Sequence, residues 1–376
     1  MKGIIDTTLR EGEQAANVYF DLGEKLHIIG LLDKLGIDEI EVGAAAMDTE
    51  IDQLINQARE QTVGPKLSLW CRCISSDIQE NLRLCPDILA MSIPVSDIHI
   101  KNKLNKDRKW VLARVCESIR QIKGTASCYL SLGLEDASRA NIGFIEEVCS
   151  LAQREGIDRI RFADTVGIMD PMTMFETIMR LTSQLYIDIG VHTHNDFGMA
   201  TANAISALAA GADFVDVTVN GLGERAGNAA LEEVVAFLAK RKGIDRYDLQ
   251  YLCFLSDYVS KVSRIPVFSK KPVVGKDIFT CETGIHVDGL LKNPLNYEPY
   301  EPSEVCLERK LLVGKKTGAN ALRHKLKCLG VDAEDHLLKE LLKIVKKESS
   351  RLKTSLTDEE LLHLHSIHAE THSSQD

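Results

Sequence analysis

The chain has 376 residues, of which 44% are hydrophobic and 27% charged, and it carries a net charge of −10. That composition is globular. The acidic balance argues against non-specific binding to nucleic acid or to an anionic membrane surface. No run of 18 apolar residues occurs, and the opening M-K-G-I-I-D lacks an apolar signal-peptide core, so neither a membrane-spanning helix nor a secretory leader is expected. The ten cysteines are dispersed with no C-x-x-C. They read as small buried hydrophobes of a protein in a reducing cytoplasm.

In chain order, short β-branched runs are expected as strands near 2–6, 38–43, 67–71, 87–93, 127–134, 158–163, 187–194 and 213–219. Amphipathic stretches such as 23–35 and 141–155 read as the helices between them. The segments G-I-D-E-I-E-V-G and G-I-D-R-I-R-F-A-D share one logic, in which a glycine stops a helix and a strand follows. Eight strands with helical crossovers over about 240 residues fit an α/β chain folded as a (β/α)8 TIM barrel. A doubly wound open sheet is the competing arrangement. It is disfavoured because no G-x-G-x-x-G follows the first strand and because polar groups end nearly every strand.

After about Arg246 the pattern changes. A helix is expected over 248–264, then a Gly- and Lys-rich span without strand–helix alternation, then mostly helix from about 301 with a G-K-K-T-G turn at 314–318. The expected organisation is a catalytic barrel over 1–265, a loop-rich linker or flap over 266–300 and a small helical subdomain over 301–376. The last residues, 370–376, are expected to fray.

Strand ends of a barrel converge on one face, where its chemistry sits. In H-T-H-N-D the two histidines, His192 and His194, close the seventh strand, and alternation puts both on one side. They could be a pair of hydrogen-bonded strand-end histidines or two imidazole ligands of one divalent ion. Glu11 ends the first strand and Asn228 follows the eighth, in N-G-L-G-E-R-A-G-N. Strands one, seven and eight are neighbours in a closed barrel, so one carboxylate, two imidazoles and an amide oxygen can share an ion and leave positions for substrate. Arg10 would stand at the metal's edge, suited to a developing alkoxide or enolate. Gln14 could bond a substrate oxygen. Thr165, in F-A-D-T-V-G, reads as a carboxylate anchor or a turn hydroxyl, and Glu41 as a strand-end acid or the partner of a neighbouring cation. Glu135 stands at the end of strand five, where Asp136 is the better helix cap. His286, between Gly284 and Gly289 and near Tyr297, reads as a surface loop histidine or a positioned proton carrier.

L-R-E-G-E-Q followed by Lys25, H-T-H-N-D-F-G-M-A-T-A-N and N-G-L-G-E-R-A-G-N-A-A-L-E-E together resemble the 2-isopropylmalate/homocitrate synthase family, over residues 1 to about 330. S-I-P-V-S-D-I-H-I-K-N-K, L-E-D-A-S-R-A and R-F-A-D-T-V-G-I-M look like its nitrogenase-linked homocitrate synthase branch. The resemblance implies a metal-dependent acyltransferase that joins acetyl-CoA to 2-oxoglutarate, making homocitrate for an iron–molybdenum cofactor. It implies Mn, Mg or Zn held by Glu11, His192, His194 and Asn228, with Arg10 activating the electrophile and Glu135, His286 and Tyr297 moving protons. It also implies a domain-swapped homodimer in which His286 and Tyr297 reach the partner's barrel, and a chain without a C-terminal regulatory domain.

Two positions depart from the lysine-pathway pattern of the family, in which a His and an Arg bind the distal carboxylate. Ser68 and Ser131 stand there, leaving Arg72 and Arg139 as replacement candidates. The G-K-H-S-G turn of the family reads G-K-K-T-G. The nearest alternatives are 2-isopropylmalate, citramalate or phosphonomethylmalate synthesis from another 2-oxo acid. Further off are a 3-hydroxy-3-methylglutaryl-CoA lyase and a non-catalytic binding protein.

Overall fold

The computed structural model describes residues 1–46 and 48–373, in two compact units, Met1–Val267 and Phe268–Asp376. In the first, eight parallel strands close into a barrel in chain order: β1 Gly3–Asp6, β2 Glu39–Gly43, β3 Lys66–Arg72, β4 Ile88–Pro94, β5 Tyr129–Glu135, β6 Arg159–Asp164, β7 Asp188–Thr193 and β8 Phe214–Val217. β8 pairs back onto β1 with Val217 opposite Asp6. Each strand lies within two residues of its expected place, and the open doubly wound sheet is excluded. No helix among the described residues is long and apolar enough to cross a membrane.

Local chemistry sets the helix ends. The helix Leu22–Leu35 opens on a reciprocal cap, with Glu24 N donating to the Asp21 side chain at 2.8 Å and Asp21 N to the Glu24 side chain at 3.0 Å. It buries Ile28, Ile29, Leu32 and Leu35 and stops at Gly36, whose φ of +89° is left-handed.

The stop signal recurs four times around the barrel. Gly36-Ile37-Asp38, Cys85-Pro86-Asp87, Gly156-Ile157-Asp158 and Gly211-Ala212-Asp213 each begin on a residue with positive φ and end on an aspartate before an even-numbered strand. Each aspartate accepts from the second amide of the preceding odd-numbered strand. Ile4 N reaches Asp38 at 2.8 Å, Leu67 N reaches Asp87 at 2.9 Å, Leu130 N reaches Asp158 at 2.8 Å and Ile189 N reaches Asp213 at 3.1 Å. Strand starts need such donors satisfied, because an unpaired amide there costs about 1–3 kcal/mol. Only two of the four segments are alike enough in sequence to be noticed as a pair, since Cys85-Pro86 and Gly211-Ala212 disguise the others.

The barrel interior is charged. Arg159 on β6 is fully buried and forks onto Glu39 of β2 at 2.7 and 2.9 Å, with its Nε donating to Ser131 of β5 at 3.0 Å. Nearer the C-terminal ends, Arg161 donates to Glu41 at 2.8 Å and to Asp216 of β8 at 2.9 Å. The pattern is period two: E-I-E-V and R-I-R-F send their charges inward and their apolar residues to the helices.

In the second unit β9 Thr280–Cys281 pairs in parallel with β10 Lys310–Leu311. The helices Ala319–Cys328, Asp335–Leu352 and Asp358–Ser373 supply an apolar core of Leu322, Leu326, Leu338, Leu341, Val345 and Leu361. Two expectations change here. The 266–300 span is not all loop, because Gly284–Lys292 is a helix that buries Val287 and Leu290. Its two glycines hide it in the sequence, yet both are needed. A Cβ at Gly284 would stand 2.6 Å from Gly318 N, and one at Gly289 would collide with the Tyr297 ring. The last helix also continues to Ser373, and residues 374–376 lie outside the described residues.

Candidate metal centre and active site

The C-terminal ends of β1, β7 and β8 build one buried cluster. β7 turns Thr193 outward, where its hydroxyl donates to Ala200 O at 3.1 Å, and so turns His192 and His194 inward. Their Nε2 atoms converge to 3.2 Å. Glu11 follows β1 as the first residue before a short 3-10 turn, and its carboxylate caps no helix amide. It points instead at Arg10 and at His194 Nε2, 3.5 Å away. Ligand atoms of Glu11, His192 and His194 all lie within 4.8 Å of one another.

Asn228 is brought alongside by the glycine-rich loop after β8. Gly227, at φ +87°, passes so close over Gly221 O that no side chain fits, and Asn228 N then bonds that same carbonyl at 2.9 Å. Asn228 pairs with His194 in an antiparallel bridge. Its Nδ2 donates to Leu222 O at 3.0 Å, which fixes the amide orientation, while its buried Oδ1 has no hydrogen-bond partner among the described residues. An orphaned buried acceptor is costly unless a ligand satisfies it. Two imidazoles, a carboxylate and an amide oxygen suit a borderline divalent ion, so the residues present fit such a metal.

Supporting groups orient these side chains. His192 Nδ1 stands 3.0 Å from Asp216, leaving Nε2 for the cluster, the outer-shell arrangement usual for metal histidines. Burial opposes the charge of Asp216, but Arg161 and His192 bring its carboxyl down to about 2. Burial likewise raises Glu11, and Arg10 foremost, with both histidines, holds it below the ordinary carboxylate value. His194 is lowered to about 3, by burial first and then by His192, so its imidazole is neutral and able to ligate at neutral pH.

Arg10 bonds both Glu11 and Glu41 and lies 5.5 Å from the Trp70 ring centroid. A cavity of about 220 Å³ opens beside it and is lined by the cluster residues Glu11, His192 and His194 and by Arg10, Gln14, Glu135 and Thr165, seven of the expected site residues. Thr165 is also a turn hydroxyl, accepting from Asp136 N at 2.8 Å. Glu135 accepts from His99 Nδ1 and from Lys103 Nζ, each at 2.7 Å and both at Oε1.

Three expected substrate contacts do not reach the cavity. Glu41 is buried beneath it with one oxygen on Arg10 and the other on Arg161, so it positions those guanidinium groups. Arg72 forks onto Asp77 at 2.7 and 3.0 Å with 59% of its side chain exposed. Arg139 donates to Asp136 at 2.8 Å. For the two arginines the cause is the same: a carboxylate three to five residues away captures the guanidinium locally. His286 and Tyr297 belong to the second unit, where their ring centroids lie 4.5 Å apart with the planes tilted by 44°.

Reading the sequence missed Trp70, Ser92, His99, Lys103, Arg161 and Asp216. Signals existed. Arg161 and Asp216 are charges inside strands buried on both faces, which must be paired. His99 and Lys103 are four apart, hence on one helical face, just after β4.

Comparison with known proteins places the chain in a family. The family model described as HMGL-like matches residues 2–259, and that described as homocitrate synthase post-HMGL domain-like matches 273–353. The chain is 44% identical to 2-isopropylmalate synthase 2 of Caldanaerobacter subterraneus, over 96% of this chain and 94% of that one. It is 42% identical to homocitrate synthase 1 of Nostoc sp., over 96% of each chain. It is 38% identical to the (R)-citramalate synthase of Methanocaldococcus jannaschii, over 96% of this chain and 74% of that one. In fold it is similar to the HMG-CoA lyase of Bacillus subtilis, with a TM-score of 0.63, 18% identity and coverage of 71% and 95% of the two chains. The barrel with its HMGL-like match, the post-barrel match and these full-length relatives together show that the chain belongs to the 2-isopropylmalate/homocitrate synthase family of metal-dependent, acyl-CoA-condensing transferases.

Proposed function

We propose that this protein is a homocitrate synthase, condensing acetyl-CoA with 2-oxoglutarate to release homocitrate and CoA. One observation carries the choice of acid. The cavity is lined by three cations, Arg10, Lys103 and Arg161, against the carboxylates Glu11, Glu135 and Glu224, and by polar groups such as Ser92 and Thr165, and among the described residues its apolar side chains are Trp70 and Ala163. A second carboxylate is accommodated by such walls, whereas the branched apolar tail of 2-oxoisovalerate would lie against charge. Supply of homocitrate to an iron–molybdenum cofactor is the role implied by the motif resemblance.

A divalent Mn, Mg or Zn ion held by Glu11, His192, His194 and Asn228 would supply Lewis-acid polarisation of the keto group. Arg10, locked in place by Glu41 and Glu11, faces the developing alkoxide with a fixed positive charge that costs no reorganisation. Glu135 takes a proton from the acetyl methyl group. The resulting enolate carbon bonds to the keto carbon of the acid, and the alkoxide formed there is protonated. Water then adds to the thioester carbonyl, and CoA leaves as the thiol. His286, with the Tyr297 ring packed beside it, assists the proton transfers from the partner subunit of a domain-swapped dimer.

A thiol-release assay tests this with acetyl-CoA, added Mn or Mg, an EDTA control and a panel of 2-oxo acids. EDTA-sensitive release is expected with 2-oxoglutarate above all others. Preference for 2-oxoisovalerate or pyruvate would overturn the choice of acid and favour 2-isopropylmalate or citramalate synthesis. No release with any acid would overturn the reaction itself.

A further inference from the structure

The cavity holds three cations, but they are not equivalent. Arg10 is shared between Glu11 and Glu41, and Arg161 between Glu41 and Asp216, with no more than 10% of either side chain exposed. Three carboxylates, with Glu41 shared, thus offset these two guanidinium charges. Lys103 is different. Its ammonium pairs with Glu135 alone in the ion pairs of the described residues, and 56% of its side chain is exposed. It sits at the C-terminal end of the helix Asp97–Asn102, one turn after His99, on a flexible four-carbon stem.

The pairing is crowded in an informative way. His99 Nδ1 and Lys103 Nζ both approach Glu135 Oε1, each at 2.7 Å. A carboxylate oxygen has two lone pairs, so these two donors fill it. His99 is held independently: its Nε2 stands 3.3 Å from Arg139 Nη2, and Arg139 is fixed by Asp136. Lys103 is therefore the donor able to leave.

We propose that Lys103 is the specificity-determining residue of the cavity, exchanging Glu135 for the distal carboxylate of a dicarboxylic 2-oxo acid. This rests on the reading of the cavity as a dicarboxylate site given above. The exchange swaps one carboxylate partner of the ammonium for another, so no charge is left unpaired on the lysine. A monocarboxylic acid has no second carboxylate to offer Lys103, so the exchange is open to dicarboxylic acids alone and discriminates between the two classes of substrate.

The test uses the full-length, Mn-loaded enzyme and its K103M and K103R variants, with 2-oxoglutarate and 2-oxobutyrate as paired substrates. Binding of 2-oxoglutarate in the absence of acetyl-CoA is measured by calorimetry. The expected result for K103M is a fall of roughly 10–100-fold in kcat/KM for 2-oxoglutarate, the range of one lost charged hydrogen bond. Affinity for the acid should weaken with it, and the ratio of kcat/KM for 2-oxoglutarate to that for 2-oxobutyrate should fall at least about tenfold. K103R, which keeps the charge, should recover part of the ratio. An equal loss on both acids would show that Lys103 only positions Glu135 and would overturn the proposal, as would unchanged selectivity. The wild-type measurement separates the two readings: an enzyme that ignores 2-oxoglutarate refutes the dicarboxylate site before any variant is made, whereas one that uses it through unaltered K103M refutes only the role of Lys103.

Discussion

Two buried polar layers lie along one barrel and have opposite character. In the lower, Arg159, Glu39 and Ser131 satisfy one another, with the guanidinium forked onto its carboxylate and its Nε spent on the hydroxyl. In the upper, around Glu11, His192, His194 and Asn228, buried polar atoms are left over: Asn228 Oδ1, His194 Nδ1 and Asp216 Oδ1 have no hydrogen-bond partner among the described residues. Burial alone does not separate them, since the residues of both layers are almost fully buried. Saturation does. A closed polar set holds the barrel together, and an open one of the same burial is poised for something outside the chain.

Substitutions can break that contrast. The largest effect on folding is expected from Glu39→Ala, which strands the Arg159 charge in the barrel and should cost about 3–5 kcal/mol in denaturant unfolding. His192→Ala, equally buried, should instead abolish tight binding of Mn or Zn by the purified protein while the metal-free form unfolds at a similar denaturant concentration. If the two variants behaved alike in both measurements, the distinction between the layers would fail.

Arg10→Ala probes the boundary between binding and chemistry. Turnover should fall about 10²–10³-fold, the size of one lost transition-state donor, with metal content by elemental analysis unchanged. Wild-type turnover in that variant would remove Arg10 from the mechanism. Asp216→Asn should be milder, because the His192 ring loses its charged partner but not its place. Metal affinity is expected to drop about 10–100-fold, read by competition with a chelating dye. An unchanged affinity would mean that Asp216 serves only Arg161.

The smallest effect is a pH dependence of the metal-free protein. His194 has its folded pKa lowered to about 3, by burial and by His192, whereas in the unfolded chain it titrates near its usual value of about 6.5. As pH falls, the unfolded state binds the proton first. The stabilising contribution is therefore complete above pH 6.5 and is lost progressively as pH drops towards 3. The urea midpoint should decline between pH 7 and pH 5, and His194→Asn should flatten the decline. An identical slope in both proteins would place the dependence on another group.

Much of this could be read from residue order. The short β-branched runs locate all eight strands, and glycine stops mark the entries to β2 and β6, because strand propensity and left-handed helix ends are local properties. H-T-H-N-D and L-R-E-G-E-Q mark the candidate metal cluster for the same reason: one residue type at one strand end. What stayed hidden depends on partners far apart in the chain. Arg72 and Arg139 carry the right charge for a distal carboxylate, yet Asp77 and Asp136 hold them away from the cavity, and only the folded geometry shows which partner wins. Glu41 is a strand-end acid in the sequence and a buried clamp between Arg10 and Arg161 in the barrel. Lys103 is one lysine in a lysine-rich stretch until β4 and β5 bring it against Glu135. Periodicity and turn chemistry act over a few residues, so order alone settles them. The pairing of buried charges is a competition across the whole barrel, and closure of the sheet decides it.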